Sequence, residues 1–234
     1  MKTKAELLCE KQHDFDSLVS VMAALRSEGG CPWDMEQTHE SVRKCLIEET
    51  YEVIEAIDNN DPTLLCEELG DLVFQAVFHA RLEEEEGRFN MDNVIHGITH
   101  KMISRHPHVF ADTKVSSSDE VLVNWDNIKK DEKQITGPVE SLKRVPPYMP
   151  ALLRAQKVQG KALSKYGFGE PDPENALIAC AKALSEDGEI TEKRLADLLV
   201  FITACAEKEG YDMEAALSRK TDMFIKAFEE RFES

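Results

Sequence analysis

Three features of the sequence predict an all-α protein. Apolar residues recur at the three- and four-residue spacing of helix faces along nearly the whole chain, and no stretch keeps the strict alternation of a half-buried strand. Helix-breaking residues are few and clustered, with 11 Gly and 9 Pro among 234 residues. The breaks fall at Gly29-Gly30-Cys31-Pro32, at Asn59-Asn60-Asp61-Pro62 and at Gly87. Between them the apolar pattern predicts helices at about 13–27, 39–58, 63–86, 91–105 and 119–133. Pro138, Pro146, Pro147 and Pro150 forbid one continuous helix, so residues 136–150 read as a Pro-rich linker. That linker divides a first domain, residues 1–135, from a second, residues 151–234. Beyond it, helices are predicted at about 150–164, 173–186, 190–208 and 212–232. Short connections of this kind belong to helical bundles.

Composition narrows the function. Asp and Glu number 45 against 28 Lys and Arg, for a net charge of −17. A surface that acidic repels phosphate backbones and anionic lipid, so neither nucleic acid nor membrane is expected as a partner. No run of about 18 apolar residues occurs. The opening Met1-Lys2-Thr3-Lys4-Ala5-Glu6 leads into polar sequence rather than an apolar signal core, and a cytoplasmic protein is expected. The six Cys are scattered without a C-x-x-C pair and read as reduced thiols.

The chain also repeats itself. Leu69-Gly70-Asp71-Leu72-Val73-Phe74 is echoed by Leu195-Ala196-Asp197-Leu198-Leu199-Val200. A Glu-Gly turn with a nearby aromatic follows each, Glu86-Gly87-Arg88-Phe89 in one half and Glu209-Gly210-Tyr211 in the other. A shared helix–turn–helix order suggests duplicated domains.

Acidic residues on a helix ordinarily face water. Placed at about 100° per residue, Glu49 instead falls between Leu46, Val53 and Ile57 on one side and Cys45 and Ala56 on the other. Glu52 lies at the edge of that stripe, whereas Glu48 and Glu55 belong to a wetter face. In the next helix Leu72-Val73-Phe74-Gln75-Ala76-Val77-Phe78 is apolar nearly all round, which predicts a central, buried helix. Asp71 sits in the middle of its apolar row with Leu64, Phe78 and Leu82, and Glu68 lies beside Gln75 and His79. Carboxylates in such places are tolerable together only with cations among them. Glu49 and Glu52 are an i, i+3 pair, as are Glu68 and Asp71, and the turn at residues 59–62 makes their helices antiparallel neighbours. The two pairs can therefore converge. Four carboxylates without thiolate or imidazole form a hard oxygen site that selects Mg²⁺, or Mn²⁺, and such ions usually serve phosphate chemistry. No Walker A sequence is present. A ferritin-like di-iron site needs Glu-x-x-His pairs, but Ala76, Asn93 and Gly97 stand three residues before His79, His96 and His100.

Glu48-Glu49-x-x-Glu52 followed by Glu68-x-x-Asp71 resembles the signature of the all-α nucleoside triphosphate pyrophosphohydrolases. Gly30-Cys31-Pro32-Trp33-Asp34, Gln37-Thr38-His39, Glu85-Glu86-Gly87-Arg88-Phe89 and Arg105-His106-Pro107-His108-Val109-Phe110 narrow the resemblance to the MazG family. Pro150-Ala151-Leu152-Leu153-Arg154-Ala155-Gln156-Lys157 extends it into the second half. The resemblance implies tandem MazG-like helical domains, a homodimer, and Mg²⁺-dependent hydrolysis of nucleoside triphosphates to the monophosphate and pyrophosphate. It makes Glu49, Glu52, Glu68 and Asp71 the metal ligands. Glu48 is the remaining acid, expected to hold a second ion or orient the attacking water. For substrate it points to Lys101 and Arg105, four residues apart on one face, as phosphate contacts, and to Trp125 as a platform for the base. Lys129, which follows in Trp125-Asp126-Asn127-Ile128-Lys129, is a further candidate, against the plainer reading of a solvated lysine; for Trp125 the plainer reading is packing. Trp33 reads first as a structural lid or staple and second as a nucleotide contact, and His106 and His108 as structural or as support for residues that touch the ligand.

The second half departs from the pattern. Residues 176–184 carry no acid, and Arg194-x-x-Asp197 puts arginine where Glu68 stands in the first half. One carboxylate beside a cation cannot gather Mg²⁺, so the second copy is expected to be degenerate and catalytically silent. A different class of function stays open for the first half: a sensor or assembly protein that binds Mg²⁺–nucleotide without hydrolysing it.

Overall fold

The computed structural model describes residues 2–132, 137–187 and 189–232. Among these the chain forms helices only: α1 (Lys4–Cys9), α2 (Phe15–Leu25), α3 (Pro32–Glu36), α4 (His39–Asp58), α5 (Pro62–Glu85), α6 (Met91–Arg105), α7 (Pro107–Phe110), α8 (Ser118–Glu132), α9 (Pro138–Lys143), α10 (Ala151–Tyr166), α11 (Pro173–Asp187), α12 (Glu192–Glu209) and α13 (Met213–Phe232). The nine long helices of the sequence reading are all present. The short α1, α3, α7 and α9 are additions to it. Proline explains three of these four, because Pro32, Pro107 and Pro138 each stand in the first helical turn, where a missing N–H costs nothing. The residues read as a linker thus include a helix, α9, with Ser141 buried. The expected helix end at 133 and domain end at 135, and the linker's first residue, 136, lie outside the described residues.

The chain divides into two compact units, Met1–Ile128 and Lys129–Ser234, a division that falls within α8 rather than after residue 135. In the first unit α5 is the central element and packs on α4, α2 and α6. Its core joins Met22, Val42, Val77, Phe78, Ala80, Leu82 and Met91, with Leu18, Val19 and Phe74 against them. Arg26 ties the end of α2 to this core. Its guanidinium lies 5.4 Å over the Phe78 ring and forks onto both Glu85 oxygens at 3.0 and 2.8 Å, while Nη1 donates to the carbonyls of Asp34 and Gln37.

The α4–α5 connection is built locally. The Asn60 N–H donates to the Ile57 carbonyl (3.1 Å) and the Asp61 N–H to that of Ala56 (3.0 Å), the paired bonds of a Schellman ending. Asn60 takes the left-handed conformation this requires, with φ 53°. Asp61 then caps α5 by accepting from the Thr63 and Leu64 N–H groups at 2.9 and 3.0 Å, with Pro62 in the first turn. One helix ends and the next begins within three residues, which forces them antiparallel.

In the second unit α12 packs on α10 and α11, as α5 packs on α2 and α4. Gly210 closes α12 in the left-handed region (φ 76°), as Gly87 does after α5 (φ 69°). All six Cys are free thiols. Among the described residues no helix is long and apolar enough to cross a membrane.

Gly30 marks a close backbone approach: a Cβ there would lie 2.2 Å from the Leu25 carbonyl oxygen and 2.6 Å from that of Ala24. Gly30→Ala is therefore expected to lower the unfolding free energy by about 1–3 kcal/mol in denaturant titration, the usual cost of forced overpacking.

Candidate metal centre

Antiparallel α4 and α5 bring the two acidic pairs together. One carboxylate oxygen from each of Glu49, Glu68 and Asp71 lies within 4.8 Å of the others. Glu52 stands beside this trio and acts on the carboxyls of both Glu49 and Glu68. All donors are oxygens. Gln75, two turns along α5 from Glu68, closes the back of the cluster, its Nε2 donating to Glu49 Oε1 at 3.5 Å.

The setting differs from the buried one that helical periodicity predicts. Glu68 is buried and Glu49 half-buried, but Glu52 and Asp71 are exposed. The reason lies in which part of α5 the unit covers. Its C-terminal half, with Val77, Phe78 and Leu82, meets the core, whereas Leu69 and Val73 nearer the acids are 45% and 41% exposed. The helix is central along only half its length. Ile47, Tyr51, Ile54 and Ile57 of α4 are exposed as well.

The electrostatics are those of crowded like charges. Burial first, then the Glu52 hydrogen bond and the charges of Asp71, Glu52 and Glu68, push the Glu49 carboxyl above the ordinary carboxylate range. Glu68 is raised likewise, by burial and then by the charges of Glu52, Asp71 and Glu67. Hydrogen-bond donors that would offset such repulsion are sparse. A divalent cation among four oxygen ligands would do so, and the donor set fits one.

Other candidates are placed differently. Glu48 stands outside the cluster, its exposed carboxylate 3.2 Å from Lys44 one turn back; the i, i+3 geometry that gathers Glu49 and Glu52 turns it away. Lys101 is exposed on α6. Arg105 is buried, with its guanidinium 5.8 Å over the ring of half-buried Trp125, so these two expected substrate contacts pack on each other. Lys129 opens the second unit. Trp33 is 60% exposed and is no staple; its carbonyl accepts from Gln37 Nε2 at 2.9 Å. His106 Nδ1 lies 2.6 Å from the Met102 carbonyl at the end of α6. In the second unit Asp197 pairs with Lys193 at 2.7 Å and Arg194 donates to the Glu189 carbonyl at 3.0 Å. Among the described residues no second trio of potential ligands converges. Gln75 is the contact that reading the sequence left unassigned, although its place beside Glu68 on the helix face was the signal for it.

Fold and centre together define a class: helical proteins that collect carboxylates from two antiparallel helices. Comparison with known proteins is more specific. The MazG nucleotide pyrophosphohydrolase domain matches residues 37–110, which include every acid of the cluster. The nucleoside triphosphate pyrophosphohydrolase/pyrophosphatase MazG of Thermotoga maritima is 40% identical over 221 residues, covering 92% of this chain and 84% of that protein. A nucleoside triphosphate pyrophosphohydrolase of Escherichia coli is 36% identical over 230 residues, or 93% of this chain and 87% of that one. The protein YabN of Bacillus subtilis is 48% identical over 147 residues, and there the match spans 30% of the relative's length. The chain belongs to the MazG family.

The raised carboxyls have a consequence for stability. The folded state holds protons on Glu49 and Glu68 at a pH where the unfolded chain has released them, so their contribution falls as pH rises from the unfolded value, about 4.5, through the folded one. In chelator at pH 7, Glu68→Gln is expected to raise the thermal midpoint, and to remove most of the rise that Mg²⁺ produces in the unaltered protein. Differential scanning calorimetry with and without Mg²⁺ checks both.

Proposed function

We propose that the first unit hydrolyses nucleoside triphosphates to nucleoside monophosphate and pyrophosphate in the presence of Mg²⁺ (Mn²⁺ being the alternative ion), in the service of cleaning the nucleotide pool. The observation that carries this reading is the convergence of Glu49, Glu68 and Asp71 from adjacent helices, with Glu52 beside them, inside the segment that matches the MazG domain. Relatives over nearly the whole chain bear the name of that activity.

The four acids hold the ion. When bound, it supplies positive charge against the phosphate oxygens and acidifies a water. A carboxylate oxygen of the cluster accepts the proton of the attacking water as that water's oxygen bonds to the α-phosphorus. The bond to the bridging oxygen breaks, and pyrophosphate leaves with the electron pair. No covalent nucleophile is needed. Exposed Lys101 on α6 is the nearer candidate for a phosphate contact; Arg105 reaches substrate only by leaving Trp125. The second unit, with Arg194 beside a single carboxylate, is a degenerate MazG-like copy that serves packing or regulation.

Exposed apolar faces on α4 and α6 support a homodimer. Ile47, Tyr51 and Ile54 share one exposed face of α4, and Ile95, Ile98 and Met102 share one exposed face of α6, apolar surface of the kind that marks an interface.

Incubation with each nucleoside triphosphate and Mg²⁺ is expected to release pyrophosphate and monophosphate. Glu52→Ala is expected to reduce that release by about 100-fold or more, beyond the usual loss from a merely supporting residue. Orthophosphate with diphosphate as products, or tight nucleotide binding without any product, would refute the proposal. Sedimentation is expected to show twice the chain mass for the unaltered protein and the single-chain mass for Ile54→Asp.

A further inference from the structure

A line of polar side chains runs from the acid cluster along α5 into the first unit. Gln75 is 6% exposed, and its Nε2 faces Glu49. One turn on, the His79 ring stacks on that of His39 from the start of α4, with centroids 5.0 Å apart and planes within 2°. Their Nδ1 atoms lie 2.7 Å apart, and His39 Nε2 lies 2.7 Å from Glu83 Oε1. Arg88 closes the line, its Nη2 donating to Glu83 Oε1 at 3.0 Å. Among the described residues two buried atoms of the line, Gln75 Oε1 and His79 Nε2, have no hydrogen-bond partner. They belong to residues one helical turn apart, on one face of α5.

The chemistry of the line assigns its protons. Arg88 first, and then His39, holds the Glu83 carboxyl down at about 2, so Glu83 only accepts. A neutral His39 then carries its proton on Nε2, which leaves its Nδ1 an acceptor for an N–H on His79 Nδ1. The neutral His79 ring consequently presents a bare Nε2. Gln75, with its amide nitrogen toward Glu49, presents a bare carbonyl oxygen. Two neighbouring buried acceptors call for one donor with two protons, and a single water molecule supplies that.

We propose that Glu83, His39 and His79 form a positioning relay that fixes the Gln75 amide through one bridging water, and so aims Glu49 at the metal. This rests on the metal-centre reading above and adds residues that touch neither metal nor nucleotide. His79 suits the part because burial holds it below its ordinary pKa and keeps it neutral near pH 7. Of the elements packed on α5, α4 brings Glu40 and Arg43 near His39, and α2 brings Arg26, which is engaged by Glu85. A supporting partner of a metal ligand typically contributes 10–100-fold in metal affinity.

The test is titration of the full-length protein with Mn²⁺ alone, followed by electron paramagnetic resonance, so that no turnover is needed. His79→Leu and Gln75→Leu are each expected to weaken Mn²⁺ binding about tenfold. The double variant is expected to lose no more than either single one, because both break the same line. His79→Gln, which restores a polar group facing Gln75, is expected to recover most of the affinity. Folded His79→Leu protein that binds Mn²⁺ like the unaltered chain, or losses that multiply in the double variant, would overturn the relay while leaving the metal centre intact. An unaltered chain that takes up no Mn²⁺ would overturn the metal reading as well. Should His79→Leu not fold, nitrogen NMR of the histidine rings in the unaltered protein decides: protonation at His79 Nδ1 and His39 Nε2 supports the relay, and the opposite tautomers overturn it.

Discussion

The first unit is organised around a repulsion. Glu49, Glu52, Glu68 and Asp71 are brought together by two helices whose connection leaves little freedom to separate them, since the Schellman ending at Asn60 and the Asp61 cap occupy adjacent residues. Like charges at that spacing oppose folding unless they are protonated or a cation intervenes. The rest of the unit absorbs that cost. The C-terminal half of α5 is locked by Phe78, Val77 and Leu82 in the core and by the Arg26–Glu85 ion pair, which leaves the N-terminal half committed to its place beside α4. A preformed cluster of this kind gives up little order when a cation arrives.

Stability and chemistry are thus separated along a single helix. The half of α5 that builds the core carries no ligand, and the half that carries the ligands builds little core. Between them stand Gln75 and His79, polar side chains that extend from the acids toward the packed interior. An interior that transmits position through hydrogen bonds needs its partners fully assigned, because a buried polar group left unmatched is costly.

The second unit packs its helices without such a cluster of acids among the described residues. Its α12 packs on α10 and α11 in the order seen in the first unit, and both units use a left-handed glycine after the equivalent helix. Apolar spacing, caps and turns suffice for the helices; a handful of carboxylates separates a metal centre from a scaffold. In the second unit Asp197 is instead engaged in an exposed ion pair with Lys193.

Much of this was legible in the primary structure because it depends on neighbours close in the chain. Apolar spacing placed the nine long helices, the residue types at 59–62 announced the turn, and the two i, i+3 pairs announced the cluster. The short helices escaped that reading because a first-turn proline looks like a breaker when its position in the turn is unknown. Tertiary structure alone decided which face of each helix was covered. Periodicity marks an apolar row but not what packs against it, and so Asp71 lies in the open where the row suggested burial. It also decided that Arg105 lies under Trp125, that Glu48 turns to Lys44, and that His39 meets His79 across 40 residues of sequence. Contacts of that kind depend on how whole helices cross, which no local pattern specifies.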